Sequence, residues 1–243
     1  MTGAALVLFL ASSAFAQTMT PVSANRALKT HTSGRDYLVG EFVTIIDNKD
    51  WSTTGFEDVN HSLSAFADGW GEGKADASQR SSFTPTAFHA DGTTYATAVQ
   101  GGISTDGFGE GASSYSATFN LSSASDIRLA GLVRSFNVAT QGVLPFAFQL
   151  EASIKLYDAS NNLLFSVSVT GDNISTPFDQ TLSLAGGQYR LDCKAWTDAQ
   201  ALTHDPRPSG NAEFVCDMTV IPAPATIAVL PLLLSTRRRR SVG

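Results

Sequence analysis

Phe146, Phe148, Leu150, Ala152, Ile154 and Leu156 place an apolar side chain at every second position, and Gln149, Glu151, Ser153 and Lys155 alternate with them. No other feature limits the possible folds as strongly. A period of two gives a β-strand with one face in a core and the other in water. Asp158, Ala159, Ser160, Asn161 and Asn162 form a turn-prone cluster, after which Leu163, Phe165, Val167 and Val169 resume the alternation. The spacing predicts a hairpin over 146–169. Further strands are expected at 37–47, 62–68, 94–100, 115–121, 127–136, 181–184, 188–197 and 211–220, with Ala185, Gly186 and Gly187 turning the chain between the sixth and seventh of these. Nine or ten short strands separated by Gly, Asn and Asp predict an all-β fold, an antiparallel β-sandwich of jelly-roll type over 17–220. A closed barrel is the alternative.

Composition narrows the function classes. The chain carries 22 acidic against 16 basic residues, for a formal charge of −6. That balance excludes a phosphate-neutralising face, so no nucleic-acid partner is expected. Fifteen Phe, five Tyr and three Trp supply enough apolar surface to exclude a disordered chain. His31, His61, His89 and His204 are scattered. There is no nucleophile elbow, zinc-binding His-Glu-x-x-His pair, phosphate-cradling loop or dinucleotide fingerprint. The residues therefore nominate no catalytic group and no cofactor.

Two features invite a site. Asp68-Gly69-Trp70-Gly71-Glu72-Gly73 and Asp106-Gly107-Phe108-Gly109-Glu110-Gly111 are nearly the same hexapeptide. One reading is a pair of loops offering Asp68, Glu72, Asp106 and Glu110 to calcium, and Trp70 and Phe108 to a sugar ring. The other is a pair of turns or bulges that need glycine. Trp196 shares a strand face with Arg190, Asp192 and Lys194; an exposed indole there would make a sugar platform, and the favoured alternative is a second sheet layer or a loop that covers it. The two cysteines, Cys193 and Cys216, fall on apolar faces of strands expected to be antiparallel neighbours, and in an oxidising compartment they would form one structural disulfide, the alternative being two buried thiols.

The two ends read as addresses. Residues 4–11 are an uncharged apolar run, followed by Ala14-Phe15-Ala16, so a secretory signal over 1–16 with cleavage after Ala16 is expected. No Lys or Arg precedes the run, which a start codon upstream of Met1 would explain. At the other end, Pro222-Ala223-Pro224 forms an extended segment, because neither proline donates a backbone hydrogen bond. Ten apolar residues, 225–234, follow; they are too few for a full helical span and are interrupted by Pro231. Arg237, Arg238, Arg239 and Arg240 then close the segment and would hold it with its basic end in the cytoplasm.

The order of these three elements over 221–240 resembles the PEP-CTERM sorting signal of Gram-negative bacteria. Here Ala223 stands where that family usually has glutamate. The resemblance implies an exported protein whose precursor is held transiently in the inner membrane and processed by an exosortase, a membrane transpeptidase. It also implies a sorting role for Pro222, Ala223, Pro224 and the four arginines, a short C-terminal hydrophobic helix, and a β-sandwich ectodomain before the signal. The organisation expected is thus a signal peptide at 1–16, an ectodomain at 17–220 and a sorting segment at 221–243. The function expected is a non-enzymatic protein of the cell surface or extracellular matrix, with exopolysaccharide as a candidate partner. A carbohydrate- or calcium-binding module is the second reading and a secreted polysaccharide hydrolase the third.

Overall fold

Strand alternation runs through nearly the whole described chain. The computed structural model describes residues 17–36, 42–53, 59–67, 71–100, 105–137, 149–201 and 209–221. In order, the strands are β1 (Met19–Asp36), β2 (Phe42–Thr53), β3 (Val59–Ala67), β4 (Gly71–Phe83), β5 (Ala87–Gln100) and β6 (Thr105–Leu121). They continue with β7 (Ser125–Asn137), β8 (Gln149–Asp158), β9 (Leu163–Thr170), β10 (Ile174–Leu184), β11 (Gly187–Ala201) and β12 (Ser209–Ile221). A front sheet has the order β2-β1-β6-β11-β8-β9 and a back sheet the order β10-β7-β12-β5-β4-β3. Every ladder is antiparallel. The sheets pack face to face, so the expected all-β, antiparallel sandwich is the architecture. The signal segment with Ala16, the sorting residues Pro222, Ala223, Pro224, Arg237, Arg238, Arg239 and Arg240, and the expected C-terminal helix lie outside the described residues. So do Phe146 and Phe148 at the start of the expected hairpin, and His204. Among the described residues, no helix is long and apolar enough to cross a membrane.

The hairpin read from the alternation is β8–β9, with Ile154 opposite Val167 and Lys155 opposite Ser166. Asp158 closes its turn. One carboxylate oxygen accepts from the Asn162 side-chain amide at 2.8 Å, and the other accepts from the backbone N–H groups of Ser160 (2.8 Å) and Asn162 (2.9 Å). These bonds, the Asn162 side chain foremost, hold its pKa below the usual carboxylate range. Asn161 takes the left-handed conformation, φ 61°, that Asn tolerates. The turn at Ala185, Gly186 and Gly187 is a crossover, since β10 lies in the back sheet and β11 in the front sheet. Tyr189 fastens it by donating its hydroxyl to the Ala185 carbonyl at 2.9 Å.

The core changes character along the strands. At one end Phe119, Leu191, Ile154 and Leu156 of the front sheet meet Phe214, Met218, Ile127 and Leu129 of the back sheet, all fully buried. Burying such a side chain contributes about 1.5–3 kcal/mol, so this half supplies most of the stability. Toward the other end the inward positions shrink. β6 presents Gly111, Gly109 and Gly107; β11 presents Thr197, Ala199 and Ala201; β5 presents Thr94, Ala96 and Ala98; β4 presents Ala77, Ala75 and Gly73. A polar band separates the halves. Arg26 donates to Ser81 Oγ at 3.0 Å across the sheets, Gln79 donates to the Ser114 carbonyl at 3.0 Å, and Thr94 shares a hydrogen bond with Thr197.

The Gly/Ala end has backbone packed on backbone. A Cβ built on Gly73 would lie 1.9 Å from the Phe108 carbonyl oxygen, and one on Gly109 would lie 2.5 Å from that of Lys74. Face-to-face sheets ordinarily sit about 10 Å apart because side chains fill the gap. Here the sandwich tapers until only glycine fits.

Candidate functional site

The two hexapeptides are neither loops nor turns where the structure describes them. Gly71, Glu72 and Gly73 open β4, and Asp106 to Gly111 lie within β6. Asp68, Gly69 and Trp70 lie outside the described residues. Glu72 pairs in register with Val99, and Asp106 with Arg35. The repeated glycines are explained by the taper: Gly73 abuts the backbone of Phe108, so one hexapeptide packs on the other across the sandwich. Glu110 points to the outer face of the front sheet. Among the described residues, no group of three or more His, Cys, Asp or Glu is placed to hold a metal ion.

Glu110 instead anchors a cluster on that outer face. Its Oε2 accepts from Lys29 Nζ at 2.8 Å, its Oε1 accepts from Trp196 Nε1 at 3.1 Å, and His31 Nδ1 lies 3.6 Å away. Burial works against its charge, but Lys29 and Trp196 outweigh burial and keep the pKa low. The ring of Phe108 meets His31 edge-on at 4.9 Å. Trp196 is therefore half-buried and hydrogen-bonded, with Lys194 Nζ 5.5 Å from its ring centroid. Asp198 sits opposite Glu110 in the β6–β11 ladder. Its pKa is pushed up to about 6, first by burial and then by the Glu110 charge, and its Oδ1 is buried without a hydrogen-bond partner. No sequence signal joins Asp198 to Glu110, because only the ladder register brings them together. Both oxygens of Glu110 are engaged, so this carboxylate serves as an anchor for the surface.

Beside this cluster a groove of about 690 Å³ crosses β1, β6, β11 and β8. Its lining alternates hydroxyls and an amide, from Ser114, Ser116, Ser153 and Asn25, with Lys155, Lys194, Glu151 and Asp192; Arg26 also lines it, but its guanidinium turns inward to Ser81. The charges largely satisfy one another and their polar neighbours. Lys194 pairs with Glu151 at 2.7 Å, and Asp192 accepts from Ser116 Oγ at 2.6 Å and Arg190 Nε at 3.1 Å. Tyr157 closes one end, with the Arg190 guanidinium 4.6 Å from its ring centroid. A locally neutral surface of hydroxyl, amide and fixed charged donors and acceptors, flanked by aromatic rings, matches a neutral polyhydroxylated ligand. The residues are spread over four strands in non-consecutive order, which is why the sequence points to the hexapeptides instead.

The outer face of the back sheet carries a second charge cluster. His89 Nδ1 bonds Asp217 Oδ1 at 2.7 Å, its Nε2 bonds Asp91 Oδ2 at 2.8 Å, and Arg80 donates to that same oxygen at 2.8 Å. Burial alone would lower the His89 pKa; the two carboxylates outweigh it and raise the value. With both ring nitrogens facing carboxylates, the charged imidazolium is the favoured form.

The cysteines require a correction. β11 and β12 are not neighbours in one sheet; they lie in opposite sheets. Cys193 and Cys216 are both buried free thiols in this structure, without the expected disulfide bond. They belong to one core cluster, and burial, with the neighbouring Cys216, pushes the Cys193 thiol well above its usual pKa.

No protein-family model matches the chain, and no curated protein sequence matches it. Among solved structures, one similar chain is from a structure of the Gt strain of infectious bursal disease virus. It has 10% identity over 86% of this chain and 67% of that one, with a TM-score of 0.19.

Proposed function

We propose that this is an exported, non-enzymatic protein of the cell surface or extracellular matrix, sorted by an exosortase-type system. The observation that carries the reading is the order Pro222-Ala223-Pro224, apolar segment, Arg237 to Arg240 directly after the last strand, β12. Removal of the four tail arginines would leave 12 basic against 22 acidic residues, a strongly acidic and soluble ectodomain. The jelly-roll reading of the sandwich belongs here too, supported by the repeated crossing of the chain between sheets from β5 to β12. So does a Cys193–Cys216 bridge in the exported form, supported by the placement of both thiols in one buried cluster between the sheets. The test is to locate the protein and sequence its C-terminus with and without the exosortase. Loss of the tail only when the enzyme is present agrees with the proposal; a chain still ending at Gly243 and kept in the cytoplasm overturns it.

The second reading, a carbohydrate-binding module, is favoured by the groove on the front sheet. It places a neutral polysaccharide across β6, β11 and β8 instead of at the hexapeptides. Titration with neutral polysaccharides would show binding that Tyr157→Ala weakens. Absence of binding across a panel of neutral and acidic polymers would remove this reading.

A further inference from the structure

Among the described residues each sheet ends in two edge strands, and an edge offers unpaired N–H and C=O groups to any strand that approaches. β2 carries Asp47, Lys49 and Asp50. β10 carries Pro177, which cannot donate, and Asp179, held in a two-point ion pair with Arg128. β3 has Ser62 and Ser64 exposed, and Ser64 donates to Asp76 of β4 at 2.6 Å. β9 has none of these protections. Its sequence, Leu-Leu-Phe-Ser-Val-Ser-Val-Thr, contains no charge and no proline, and among the described residues it pairs only with β8. Leu163 is 54% exposed and Leu164 38%. Behind the edge, Phe165 and Val167 are only partly buried, and Phe165 meets Phe178 of β10 at 5.3 Å between ring centroids. The apolar core thus reaches the surface on this side of the sandwich.

We propose that β9 is the interface through which two copies of this chain associate, joining their front sheets into one twelve-stranded sheet. A second copy fits because the strand is self-complementary, and because β9 carries no charge, two acidic chains meet there without opposing carboxylates. A two-fold axis perpendicular to the sheet must pair positions on the same face, and an axis through Val167 sets Phe165 against Val169 of the second copy. That continues the inward apolar row, while Ser166 meets Ser168 of the second copy on the outer face. Such an isologous contact closes on itself, so the product is a dimer and not a fibre.

The full chain should sediment as a concentration-dependent dimer, its association strengthening with salt as the acidic copies are screened. β9 amides should gain hydrogen-exchange protection as concentration rises. Ser166→Glu with Ser168→Glu places like charges opposite each other across the axis and should weaken the dimer at least about tenfold. Ser166→Glu with Ser168→Lys places opposite charges there and should tighten it several-fold. In both variants the carboxylate introduced at position 166 faces Lys155 of its own chain, so the fold is not stressed. A monomer at all concentrations, a dimer indifferent to both variants, or β9 protection independent of concentration would each overturn the proposal.

Discussion

Cys193 on β11 and Cys216 on β12 lie in one buried cluster, a thiol from the front sheet beside a thiol from the back sheet inside the apolar half of the core. Since both groups are fully buried and Cys193 is held protonated, neither should behave as a surface thiol. Protein made in a reducing cytoplasm should take up no alkylating reagent while folded and two equivalents once unfolded, as read by intact mass. Exported protein should take up none on unfolding until a reductant is added. Rapid labelling of the folded protein would show that this part of the core opens.

The taper makes a sharp claim about glycine. Gly73→Ala would drive a methyl into the Phe108 carbonyl, and Gly109→Val would press on Lys74 and Thr97. Overpacking usually costs about 1–3 kcal/mol, and rigid backbone on both sides puts these changes at or beyond the upper end. Thermal melting should show large losses for both variants, in contrast to Ser160→Ala, which removes no side-chain hydrogen bond that closes the turn. A Gly73→Ala protein melting with the wild type would mean that the sheets are not in backbone contact.

Asp198 should lower stability at neutral pH. Its folded pKa, about 6, lies above the ordinary 3.8, so folding disfavours its ionisation. The cost is absent below about pH 4 and complete above about pH 6. Asp198→Asn should therefore raise the melting temperature at about pH 7 and make no difference near about pH 3.5. Since the group is half-exposed, screening limits the gain to roughly 1 kcal/mol, or about 2–4 °C. Denaturation of the two proteins across that range checks both the sign and the window.

His89 acts in the opposite sense. Its pKa is raised above 6.5, against the effect of burial, by Asp217 and Asp91, so its stabilising contribution is complete below pH 6.5 and lost as pH rises through the folded value. His89→Gln should lower the melting temperature at about pH 6 and approach the wild type at alkaline pH. An NMR titration placing the His89 pKa below 6.5 would contradict the arrangement.

Filling the groove tests its role without touching the core. Ser114→Trp places an indole among Ser116, Lys194 and Ser153 on the outer face. The expected result is loss of neutral-polysaccharide binding with an unchanged melting temperature. Retained binding would move any saccharide site elsewhere on the molecule.

The strands of the thick half are legible in the sequence because their inward residues are large. β8, β9 and β11, and with them β7 and β12, announce themselves through alternation of the kind seen from Leu150 to Leu156, where burial selects one face. β1 and β4 leave no such mark, for the converse reason. Their inward positions include Arg26, Thr30 and Thr32, and Gly73, Ala75, Ala77, Gln79 and Ser81, none of which marks a core by hydrophobicity. The hexapeptides look like loops on the same ground, since glycine inside a strand has meaning only when the opposing backbone is known. The groove and the Glu110–Asp198 pair stay hidden because ladder register assembles them from strands distant in sequence.

By itself, then, the sequence determined that the chain folds as an antiparallel β protein and where its large apolar faces fall, since side-chain periodicity is a local property. Only the tertiary structure decided which strands share a sheet, that Cys193 and Cys216 meet across the core, and that the repeated glycines mark the place where two backbones touch. Those outcomes depend on how strands far apart in the chain are paired, and periodicity within one strand carries no record of its partner.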